Sequence, residues 1–174
     1  FVKNYLCPEP ANCLMQAENI GQDEVSQTGQ LLWKKVNQQM KKNDLIKTED
    51  GIYRILSIEA NRVLAIDCIK KTMPKFYPVS SFGNGELIDR IPADFPDMED
   101  LSPADRKIAQ ERYTMIAGAV SVVDDIQQRN LMIEKSSKQF GMSKQSIRSF
   151  LCSYLVYQDV AVLAPKQTIT GILP

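Results

Sequence analysis

The hydrophobic pattern of this chain changes period once, across a proline-containing acidic stretch. Before it, between Asp44 and Asp67, apolar and β-branched residues fall in short runs broken by turn signals. Leu45-Ile46-Lys47-Thr48 reads as a strand, Glu49-Asp50-Gly51 as an Asp-Gly turn, and Ile52–Ile58 as a second strand. Glu59-Ala60-Asn61 turns the chain again into a third strand, Arg62–Asp67. A further strand is expected within Phe76–Phe82, placed at a sheet edge by Pro74 and Pro78. After the acidic stretch, Ile108, Met115, Ile116, Ala119 and Val123 recur at helical spacing. Ser102, Pro103 and Asp105 form the start signal of that helix. A second helix is expected from Ile126 to Phe140. The fold class is therefore α+β: a small β-rich meander module followed by an all-helical module.

The expected organisation has five parts. Residues 1–30 form a flexible arm. Residues 31–90 carry a short helix, with Leu32, Val36 and Met40 on one face, and the small sheet. Residues 91–103 are the acidic linker, residues 104–166 the helical module, and residues 167–174 a tail or linker toward a missing domain. The chain starts at Phe1, which fits a fragment of something longer.

Composition narrows the chemistry. The 174 residues include no histidine, which removes Ser–His and Cys–His nucleophile pairs and every imidazole zinc site. No catalytic residue, metal ligand or cofactor site is expected. Adjacent Asp124 and Asp125 suit solvent or a helix cap better than a metal. The longest uncharged membrane-like run, Tyr113–Val123, has 11 residues, whereas a spanning helix needs about 20. The four cysteines, Cys7, Cys13, Cys68 and Cys152, are scattered. Reduced thiols and a cytoplasmic location are expected.

Charge is balanced in total and uneven along the chain. The stretch 31–75 carries +5, the stretch 86–105 carries −6, and the stretch 129–150 carries +4. Two basic regions flanking an acidic spacer suit contact with a polyanion. Solvated faces explain the same numbers.

Residues 133–152 read IEKSSKQFGMSKQSIRSFLC, the layout of a helix-turn-helix. One helix ends at Phe140, Gly141 takes the turn, Met142 plugs it, and Ser143 caps the next helix. Ile147, Phe150, Leu151, Tyr154 and Leu155 then define a buried face. Ser143, Lys144, Gln145, Arg148 and Ser149 fall near the open, N-terminal half, where a recognition helix meets base edges. Gln bonds adenine and Arg bonds guanine in the major groove, while Lys and Ser meet phosphate. Arg129, Lys135 and Lys138 on the preceding helix are expected to hold the DNA backbone. Ser136 departs from the pattern, standing where an apolar residue is usual. A plain helical hairpin that docks a protein partner accounts for the turn and the apolar face equally well.

The stretches AQERYTMIAGAVSVVDD (109–125) and SSKQFGMSKQSIRSFLCSYLVYQDVAVLAPK (136–166), with the meander DLIKTEDGIYRILSIEANRVLAIDCIKK (44–71), resemble the N-terminal region of Mu-like DDE-type integrase/transposases of bacterial mobile elements. The resemblance spans residues 33–166. It implies sequence-specific binding of double-stranded DNA at the element's ends, with self-association on DNA. In such proteins a two-metal catalytic domain follows, and the eight residues after Lys166 cannot hold it. No catalytic residue is therefore carried over, and this chain is not expected to be an enzyme. A transcriptional regulator built on the same motif remains an alternative.

Overall fold

The computed structural model describes residues 40–91 and 95–165. The arm, most of the helix expected around Trp33, Cys7, Cys13 and the tail lie outside the described residues. The architecture is α+β, a five-stranded antiparallel sheet followed by three helices. Strands β1 (Leu45–Thr48), β2 (Gly51–Ile58), β3 (Arg62–Asp67), β4 (Lys75–Pro78) and β5 (Glu86–Ile88) lie in the order β4-β3-β2-β1-β5. The Asp-Gly signal does close the first hairpin: Thr48 pairs with Gly51, whose φ of 152° is one that side chains rarely adopt.

The edge strand expected in 76–82 is shorter than its sequence pattern. It ends at Pro78, and Val79–Phe82 continues as a 3-10 helix that buries Val79 and Phe82. β5 was not expected. It pairs antiparallel with β1 and makes the second edge. A bulge interrupts the β2–β3 ladder between Ile55 and Ser57. The extra residue, Leu56, joins the same core as Leu64 and Ile66.

Both faces of the sheet are covered. On one, Tyr53, Tyr77 and Phe82 meet edge to face with centroids 5.4 to 5.9 Å apart. On the other, Leu45, Leu56, Leu64, Ile66 and Cys68 join one cluster with Ile116, Ile133, Ile147, Leu151, Leu155 and Val156 of the helices. Strands and helices thus build a single core across the acidic segment. That segment packs too: Leu101 is buried, and the Phe95 ring lies 5.0 Å from Tyr157.

The helices are α1 (Pro103–Val120), α2 (Ile126–Phe140) and α3 (Lys144–Tyr157). Each opens on the cap its sequence offers. Ser102 accepts from Asp105 N–H, Asp125 from Gln127 and Gln128 N–H, and Ser143 from Ser146 N–H. Asp125 is thus a cap, the bland alternative to a metal ligand. Among the described residues no group of three His, Cys, Asp or Glu is placed to hold a metal ion. No described helix is long and apolar enough to cross a membrane.

Candidate nucleic-acid interface

Helices α2 and α3 and the turn between them form the hairpin that the sequence pattern describes. Gly141 ends α2 in the left-handed region, with φ 64° and ψ 20°. Most side chains resist that conformation, and glycine does not. Ser137 Oγ donates to the Met142 carbonyl at 2.6 Å and ties the turn to the preceding helix. Met142 packs against the core, as a plug should.

The burial pattern of α3 decides which residues are available. Ile147, Leu151 and Leu155 face α1 and α2 and are buried, with Phe150 and Tyr154 packed beside them. Tyr154 is half-buried against the core, its ring 5.0 Å from that of Tyr113. In the second half of the helix, Cys152 and Val156 are buried as well. The far end of α3 is therefore wrapped on more than one side, while its first two turns stay open. Lys144, Gln145 and Ser149 are exposed there, and Arg148 is half-buried at the margin of the open face. Ser143 is exposed, with its hydroxyl engaged in the cap.

The far end is also pinned. Arg54 of β2 donates from Nε to the Val156 carbonyl at 2.6 Å, and from Nη1 to the Asn43 carbonyl at 2.9 Å. Gln158 bonds the Asn43 side chain at 3.0 Å. The Lys71 ammonium sits 4.8 Å from the Tyr157 ring centre. These cations gather where the helix dipole is negative.

On α2, Lys135 and Lys138 are exposed. Arg129 is a correction to the sequence reading. Only 3% of it is exposed, so it cannot reach a phosphate. Its Nη1 donates to the Val123 carbonyl at 2.7 Å and its Nη2 to the Pro74 carbonyl at 3.4 Å. Nε finds no partner among the described residues. Burial lowers the guanidinium pKa from its usual value. Arg129 is a strut between the β3–β4 loop and the hairpin.

No protein-family model matches this chain, and no curated protein matches it.

Glu134 has a role that its local sequence signals only in part. Its carboxylate reaches two lysines, Lys138 Nζ at 2.9 Å on its own helix and Lys144 Nζ at 3.2 Å on the next. Hydrogen bonds from Lys138 and then Lys144 lower its pKa from the ordinary glutamate value. The spacing of Glu134 and Lys138, four apart, signals the first pair. Nothing local signals the second, which needs the turn geometry.

Across the hairpin, Lys135, Lys138, Lys144, Gln145 and Ser149 are exposed and Arg148 is half-buried, with Glu134 as the one acidic residue in 126–150. It offers cations for phosphate oxygens and amide or guanidinium groups for base edges.

Proposed function

We propose that this chain binds duplex DNA with sequence preference through the α2–α3 hairpin. We read it as the end-recognition portion of a DDE-type transposase acting in the cytoplasm, with self-association on DNA. One observation carries the reading: a capped helix whose open first turns present Lys144, Gln145, Arg148 and Ser149, with Lys138 joined to Lys144 through Glu134. The transposase assignment leans further on the resemblance of residues 33–166 to that family. In this reading α3 enters the major groove by its N-terminal half. Gln145 and Arg148 read bases, while Lys138 and Lys135 hold the backbone.

A protein-docking hairpin is the second reading. The observation favouring it is exposed apolar surface on α2, where Leu131 is 56% exposed and Ile126 48%.

The experiment is binding to duplex DNA over a salt series, with the element's terminal sequence beside a scrambled duplex. The proposal expects affinity to fall steeply with salt and to favour the terminal duplex. Arg148→Ala should cost about 1–3 kcal/mol and relax base choice. Lys138→Ala should weaken all duplexes alike and reduce the salt slope by about one. Absence of binding at low salt overturns the proposal and leaves the protein-docking hairpin.

A further inference from the structure

We propose that Glu134 is an intramolecular stand-in for a DNA phosphate, occupying Lys138 and Lys144 in the free chain and limiting affinity for duplexes of any sequence. The proposal rests on the DNA-binding reading and concerns how the same surface is regulated.

The geometry has three parts. One carboxylate spans both helices of the hairpin, with each oxygen on a different lysine: Oε1 on Lys138 and Oε2 on Lys144. Both lysines remain accessible, their side chains 77% and 49% exposed, so an incoming anion can reach them. Lys144 is also the first residue of α3. A cation there opposes the positive end of the helix dipole, and a neighbouring anion offsets that cost. Glu134 supplies the anion in the free chain. A phosphate at the same corner would meet Lys144, Lys138 and the helix terminus together.

Binding then becomes an exchange of one anion for another. The lysines must turn from the carboxylate to a phosphate, or the phosphate must approach with Glu134 still in place. Either route subtracts from the sequence-independent attraction. Contacts from Gln145 and Arg148 to base edges do not involve Glu134. A duplex carrying the right bases therefore depends less on the attraction that Glu134 weakens.

The test is Glu134→Gln, which keeps the side-chain shape and removes the charge. Salt series are run on the terminal and the scrambled duplex, with Glu111→Gln on exposed α1 surface as a control for net charge. Glu134→Gln is expected to bind both duplexes at least about threefold more tightly at low salt, with a salt slope steeper by about one. Glu111→Gln is expected to match the parent. In a Lys138→Gln/Lys144→Gln background, Glu134→Gln is expected to change nothing. Unchanged or weaker binding by Glu134→Gln overturns the proposal. So does equal tightening in the Lys138→Gln/Lys144→Gln background. In both cases the parent still binds DNA, so the DNA reading survives. A parent chain that binds no duplex at low salt overturns both.

Discussion

Arg129 shows how far a charged residue's role depends on what folds over it. Sequence places a base at 129 within a basic stretch, and a surface role follows. The Pro74 carbonyl that receives its Nη2 lies 55 positions away, so no local pattern reports it. A buried guanidinium is tolerated here because two carbonyls take its N–H groups. Arg129→Ala strands those carbonyls and opens a cavity. It is expected to lower stability by about 3 kcal/mol, measured by denaturant unfolding. Molecules that stay folded should keep the parent's salt slope for DNA, since Arg129 touches no phosphate. The buried thiols give a second prediction. Burial raises Cys68 and Cys152 from an ordinary 9.0 to about 11. In the unfolded chain they ionise near 9, whereas in the folded chain they hold their protons to about 11. Their contribution is whole below pH 9 and is lost as pH rises through 11. Thermal unfolding from pH 8 to 11 should show a falling midpoint, and a Cys68→Ala/Cys152→Ala variant should show a shallower fall.

At the scale of elements, the hairpin was the most legible part, because its signals are local. Gly141, Ser143 and the spacing of Ile147, Leu151 and Leu155 each act within a few residues. Among the described residues, its own chain neighbours aside, nothing lies within 4 Å of where a Cβ on Gly141 would stand, so substitution meets backbone strain. Gly141→Ala is expected to cost about 1–2 kcal/mol and Gly141→Asn less, compared by urea midpoints. The strands were legible in part. The Asp-Gly turn and the runs around Tyr53 and Leu64 marked β1 to β3. β5 is three residues long with no alternation to read, and pairing with β1 alone defines it. The bulge at Leu56 is likewise a property of the pair, not of β2. β4 ends at Pro78, and the 3-10 turn that follows buries Val79 and brings Phe82 against Tyr53 and Tyr77.

For the whole molecule, the α+β class was legible, and the shared core was not. Amphipathic spacing tells which residues bury, but not against what. Cys152 and Val156 looked like ordinary helix positions, yet they are buried in the cluster that includes Leu64 and Ile66. A fragment of residues 100–166 would expose that apolar surface to water. It is expected to show weak helical circular dichroism and no cooperative melt, whereas residues 40–166 melt in one transition. Leu151→Ala, at the centre of the core, should cost about 2–5 kcal/mol and shift the near- and far-ultraviolet signals at the same temperature.

The bonds from Arg54 and Gln158 fix the Val156 end of α3. The Lys144 end, about 20 Å away, is held by the Gly141–Ser143 turn and by Glu134, with Ile147 buried between the two. A rotation at the Val156 end is therefore carried along a rigid rod to the first turn. If the hairpin binds DNA as proposed, residues remote from that surface, Arg54 and Asn43 among them, help set the angle at which Gln145 and Arg148 are presented. Loosening that mount should blur discrimination between sequences before it weakens attraction to duplex DNA as such.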